Sequence, residues 1–120
     1  EIRIMDAQTQ TERSAHLLEY IYYLLSDLSE RYDDGESGES HRLEILCENK
    51  WRSLRYGYDS AFINWETSNQ IDLIDMVESE CQRLGTSSLR TLYDIGSGSS
   101  SQRDQYNSGG IDALCRGLII

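Results

Sequence analysis

Proline does not occur once in the 120 residues, so the residue that most reliably interrupts a helix is absent and long helical segments are unobstructed. No apolar run approaches the roughly 20 residues of a membrane-spanning helix, and the start carries neither a basic nor an apolar leader segment. A soluble chain with no visible export signal and no membrane partner is expected. An initiator methionine is also missing, and the sequence starts inside a strand-like alternation, which points to a piece of a longer polypeptide.

Positive charge is scarce. Eleven Lys and Arg stand against 21 Asp and Glu, giving a formal charge of −10 that repels phosphate backbones and anionic lipid, so nucleic acid is not an expected partner. Of those 11 basic residues one is lysine, Lys50, and the other ten are arginine. Acid-rich, lysine-poor surfaces occur in proteins of salt-loving microbes, where molar salt shortens the screening length to about 3 Å. An ordinary acidic solvated face is the alternative.

Cysteine is sparse and unpaired in pattern. Cys47, Cys81 and Cys115 are odd in number, far apart and include no CxxC, so neither a disulfide framework nor a structural zinc site is suggested, and a reducing cytoplasm fits best. Their equal spacing of 34 residues matches a helical-repeat period. The contexts ILCENKW, SECQRLG and ALCRGLI share nothing else, so the spacing is coincidental.

What is present is helical periodicity. Glu1 and Arg3 would share one face of an opening strand over 1–6, with Ile2 and Ile4 on the other. Thr9 and Glu12 form a capping-box pattern ahead of a helix over 10–31, with Ala15, Leu18, Ile21 or Tyr22, Leu25 and Leu28 inward. The polar stretch RYDDGESGESH ends it. A second helix over 42–56 would bury Leu43, Leu46, Cys47, the Lys50 stem, Trp51 and Leu54, and stop at Gly57. Phe62 to Trp65 read as an extended piece. Thr67 and Gln70 form another capping pattern, for a helix over 69–84 that turns Ile71, Ile74, Val77, Cys81 and Leu84 inward and stops at Gly85. A short helix over 87–95, a turn capped by Ser99 and Gln102, and a last helix over 110–118 with Ile111, Leu114, Cys115 and Leu118 inward complete a mainly α chain. The expected architecture is a single domain of four to five helices with one N-terminal strand.

Few constellations carry chemistry on their own. GSGSSS lacks the GK[ST] and the preceding buried strand of a phosphate loop and reads as a helix connector. His16 and His41 have no second imidazole at ligand spacing, and Tyr20, Tyr22 and Tyr23 read as packing residues. Asn49, Arg52 and Tyr56 form a polar stripe that could contact an anion or carboxylate, or Arg52 and Arg55 could pair with local acids. Glu1 and Arg3 could form a site for Mg²⁺ and phosphate or be solvent-facing residues of an edge strand.

Three stretches, EIRIMDAQT, ENKWRSLRYGYDS and GSSSQRDQYNSGGIDAL, occur in the order and spacing of the C-terminal part of the carboxylate-amine ligases of the glutamate–cysteine ligase superfamily, which this chain resembles over nearly its whole length. The resemblance implies a parent enzyme that uses ATP and Mg²⁺ to join the γ-carboxylate of glutamate to an amine, most plausibly that of cysteine, through an acyl phosphate. The product, γ-glutamylcysteine, would suit a salt-loving archaeon as its cellular thiol. It further implies that Glu1 matches a strand carboxylate holding Mg²⁺, that Arg3 faces ATP phosphates or the acyl phosphate, and that Asn49, Arg52 and Arg55 match recurring polar positions of the second helix. The strand would be the last piece of the parent's sheet. Because most of that family's site precedes the matched region, the chain alone is expected to be inactive and to need its own N-terminal catalytic portion. The competing expectation is an acidic helical interaction module whose opening strand adds to a partner's sheet.

Overall fold

The computed structural model describes residues 8, 10–36 and 42–118. The expected strand over 1–6, Thr9 and His41 therefore lie outside the described residues. Within them the chain is mainly α. Five helices, α1 (Thr11–Asp33), α2 (Leu43–Tyr56), α3 (Leu73–Leu84), α4 (Ser88–Ile95) and α5 (Gly98–Leu118), accompany a short antiparallel hairpin of β1 (Ala61–Ile63) and β2 (Gln70–Asp72).

The hairpin replaces the first turn expected of a helix over 69–84. Asn64 Oδ1 accepts from the backbone N–H of Glu66 and of Thr67, and Thr67 Oγ1 accepts from Asn69 N–H. Thr67 thus uses its hydroxyl inside a turn rather than at a helix cap, which returns the chain so that Phe62 pairs with Ile71. α3 begins only after this pairing ends. A second correction concerns GSGSSS, which opens α5 instead of merely connecting helices. Ser97 Oγ accepts from Ser100 N–H at 3.1 Å, the geometry of a serine N-cap, two residues ahead of the expected Ser99. α5 then bends at Gly109 and Gly110, and Gly110 takes φ +65, a conformation that costs glycine little.

α1 packs on α4, and α3 lies against α4 and α1, while α2 contacts β1 and the 3₁₀ turn Gly57–Asp59. α3 turns Ile74, Cys81 and Leu84 partly inward and buries Val77, the only apolar side chain among the described residues that is nearly sealed from solvent. Ser60, Thr86 and Ser88 are buried with it, as is Arg13, whose Nε donates to Gln10 Oε1 at 3.1 Å.

Elsewhere most residues expected to face inward are exposed, although Ile21 and Leu114 are partly covered as expected. On α2 the half-buried residues are Ile45, Glu48, Asn49 and Arg52, whereas Leu43 and Leu54 are 70% and 78% exposed and Leu46, Cys47, Lys50 and Trp51 are also exposed. On α1 Leu17, Tyr20, Ile21 and Leu24 are partly covered, but Ala15, Leu18, Tyr22, Leu25 and Leu28 are exposed. Ile111, Cys115 and Leu118 of α5 are exposed as well. The physical reason is shared. Periodicity identifies an apolar stripe, but the partners within reach decide which stripe is covered, and α2 meets backbone polar groups of a strand edge instead of an apolar layer.

Candidate functional site

β1 offers hydrogen-bonding groups on two edges. Ser60, Phe62 and Asn64 face β2, as shown by Leu73 N–H donating to Ser60 O and Asn64 N–H donating to Asn69 O. Ala61 and Ile63 face the other way, where a third strand would normally pair. Side chains of α2 occupy that edge. Asn49 Nδ2 donates to Ile63 O at 2.9 Å and Asn49 Oδ1 accepts from Ile63 N–H at 2.8 Å, so its carboxamide reproduces both bonds of a neighbouring strand. Three residues on, Arg52 Nη1 donates to Ala61 O at 3.1 Å and Nε donates to Glu48 Oε1 at 2.8 Å. Three helix residues rise about 4.5 Å and two strand residues span about 6.6 Å, and the long Arg52 side chain bridges the difference between the two steps. Ser60 Oγ closes the corner with donor–acceptor contacts to Arg52 O and Gly57 O.

The polar stripe of the second helix is therefore brought together, but its Asn49 and Arg52 groups are engaged with the strand edge. Arg52 pairs with a local acid, Glu48, as one expectation had it, and in addition holds the Ala61 carbonyl, which was not expected. Its Nη2 makes no hydrogen bond among the described residues, which leaves donors for an anion. Arg55 is exposed and makes no hydrogen bond or ion pair among the described residues. Tyr56 packs edge-on against Trp51 with ring centroids 5.8 Å apart. Glu1 and Arg3 lie outside the described residues. His16 faces Glu19 at 3.7 Å on its own helix, a surface pairing.

Beside the clamped strand runs a cleft of about 600 Å³ between α1, α2, the hairpin and α3. Ile45, Ile63, Trp65, Met76 and Val77 make its lining mostly apolar, with Tyr20, Asn49 and Glu80 as polar members. Tyr20 Oη lies 3.5 Å from Glu80 Oε1. Burial pushes the Tyr20 phenol above its usual value, and the Glu80 carboxylate adds to the shift while Arg83 opposes it. Arg83 donates to both Glu80 and Asp27, tying α3 to α1. The hydrogen bond to Glu80 is the main reason its guanidinium is held above the usual range. Sequence reading missed this network. The Glu80–Arg83 spacing was visible, but Tyr20 and Asp27 are more than 50 residues away and have no local signal.

Among the described residues no three His, Cys, Asp or Glu side chains converge as a metal site.

A family model described as glutamate–cysteine ligase family 2 matches residues 1–116. The chain belongs to that family. It is 45% identical over all of its length to a glutamate–cysteine ligase of Natronomonas pharaonis, of which it covers 33%, and 46% identical over all of its length to one of Haloferax volcanii, of which it covers 34%. A glutamate–cysteine ligase of Haloquadratum walsbyi is 39% identical over 120 residues, 33% of that protein. The chain thus spans about one third of the length of these curated relatives, which come from halophilic archaea. The acid-rich composition of this family member agrees with that setting. No solved structure matches the chain.

Proposed function

We propose that this chain is the C-terminal helical part of an ATP-dependent ligase that joins the γ-carboxylate of glutamate to the amine of cysteine, and that it is inactive without the rest of the polypeptide. The family match over residues 1–116 carries this reading. The names of the relatives, glutamate–cysteine ligases, support the substrates.

Within that reading the residues divide by what they touch. Asn49 and Arg52 act as positioning residues, holding β1 against α2. On this face of α2, Arg55 and the Arg52 Nη2, which makes no hydrogen bond among the described residues, are cationic donors available to a phosphate or carboxylate. Glu1 and Arg3 are assigned to Mg²⁺ and to the phosphoryl group. Preorganised cationic groups around a transferring phosphoryl lower the barrier by neutralising its charge, so removing one costs rate more than stability.

The test uses the full-length polypeptide, cytoplasmic in this proposal, with ADP formation measured in the presence of ATP, Mg²⁺, glutamate and cysteine. Activity is expected to need both amino acids and to fall by about 100-fold or more in Arg3→Ala and in Glu1→Gln. Arg55→Ala is expected to lose activity with unchanged unfolding. Normal turnover in all three variants would remove these residues from the site, and no ADP formation by the parent would sink the ligase reading.

A further inference from the structure

We propose that the outward apolar face of α2 is a docking surface for the remaining two thirds of the full-length polypeptide, with the uncovered stripe of α1 as a second contact. The inference rests on reading the chain as part of a longer ligase and adds where that longer protein must touch it.

Leu43, Cys47, Trp51 and Leu54 follow one another at four-, four- and three-residue steps, which places them on one side of α2, and all four are exposed. The opposite side carries Asn49 and Arg52, fixed by three hydrogen bonds to Ile63 and Ala61. Turning α2 to hide its apolar side would break all three, so the helix is locked with its apolar face outward. Only another layer can cover it. On α1 Leu18, Tyr22, Leu25 and Tyr32 repeat this arrangement at 66%, 68%, 52% and 80% exposure, at steps of four, three and seven residues. Aromatic and leucine side chains left in water on two helices form the kind of patch that marks an interaction surface.

The occupant follows from length and charge. The relatives are about three times as long as this chain, so a polypeptide of the right size is attached to it. An attached segment meets the face at high effective concentration. A second copy would bring another formal charge of −10 to the contact, which repulsion disfavours in dilute buffer.

Cys47 lies within the face and reports on it. In the full-length polypeptide, alkylation of Cys47 by iodoacetamide is followed by mass spectrometry of its peptide, in native buffer and after unfolding in denaturant. Native labelling is expected to be at least about 100-fold slower than labelling of the unfolded chain and independent of protein concentration. Leu54→Asp is expected to speed native labelling by about tenfold or more through local opening of the contact. If that variant fails to fold, the wild-type rates still decide. Native labelling as fast as in the unfolded chain overturns the proposal. Protection that fades on dilution assigns the face to a second copy and overturns it too. ADP formation is assayed on the same preparation: free labelling in an active enzyme rejects the docking face alone, whereas protection in an inactive protein supports docking and rejects the ligase reading.

Discussion

α3 and α2 are helices of similar length in one chain, yet they meet their surroundings in opposite ways. α3 is conventional: it packs on α4 and α1, and its apolar stripe carries the nearly buried Val77. α2 faces its neighbour with polar side chains and leaves leucines and a tryptophan outside. The contrast shows two ways to fix a helix. One buries area and tolerates small rotations, whereas the other uses a few directional hydrogen bonds that set rotation and register and supply little hydrophobic stabilisation.

The largest break in this comparison comes from the α3 side. Val77→Asp would place a carboxylate at a nearly buried position beside the apolar lining of Ile45, Ile63 and Met76, and it is expected to cost about 3 kcal/mol. Urea unfolding of the full-length protein should show a large drop in the midpoint. An unchanged midpoint would mean that the α1–α3–α4 packing contributes little to folding.

On the α2 side the expected losses are smaller and of a different kind. Asn49→Ala removes a donor and an acceptor together and strands the N–H and C=O of Ile63, at a cost of about 2 kcal/mol. Asn49→Asp keeps the acceptor for Ile63 N–H but sets an anionic oxygen against Ile63 O, so it should rescue little. If Asn49 instead contacts only substrate, Asn49→Ala would leave the urea midpoint alone and raise KM. The two readings therefore separate on one variant.

A third measurement links α3 to α1 through Arg83. Its partners Asp27 and Glu80 are about one quarter exposed, and Arg83 itself is 38% exposed, so solvent screens the pair. Arg83→Met is expected to lose about 1 kcal/mol or less. That loss should shrink further in molar KCl, because salt shortens the reach of exposed charges. An equal loss in dilute and in molar salt would assign Arg83 a packing role through its aliphatic stem.

How much of this was legible in the sequence differs between the same two helices. The inward set Ile74, Val77, Cys81 and Leu84 could be read directly, because α3 meets apolar neighbours from its own chain. For α2 the stripe Leu43, Leu46, Cys47, Trp51 and Leu54 was equally visible, but periodicity does not say whether the covering layer lies within these 120 residues. The stop at Gly57 was readable, and its φ of +57 explains the choice of glycine. The hairpin was obscured by Thr67 and Gln70, since a hydroxyl that accepts a nearby backbone N–H serves turns and caps alike. Of the site residues, Asn49 and Arg52 were picked out as a polar pair on one helix face. Their target, the free edge of β1, became visible only once the strand existed.

The smallest expected effect is at Tyr20, which joins the two regions by lining the cleft below α2 while reaching Glu80 on α3. Its phenol is raised above the usual value by burial first and by the Glu80 carboxylate next, so the folded state prefers the neutral hydroxyl. For a group raised on folding, the stabilisation is full below the unfolded value near pH 10 and is lost as pH climbs through the folded value. Stability should therefore decline in strongly alkaline buffer, as a phenolate forms against Glu80. Tyr20→Phe should flatten the part of that decline due to this group, and Glu80→Gln should lower the phenol's titration midpoint, read from the phenolate absorbance near 295 nm. If Glu80→Gln leaves the midpoint where it was, burial alone sets the shift, and the Tyr20–Glu80 contact does not couple α1 to α3.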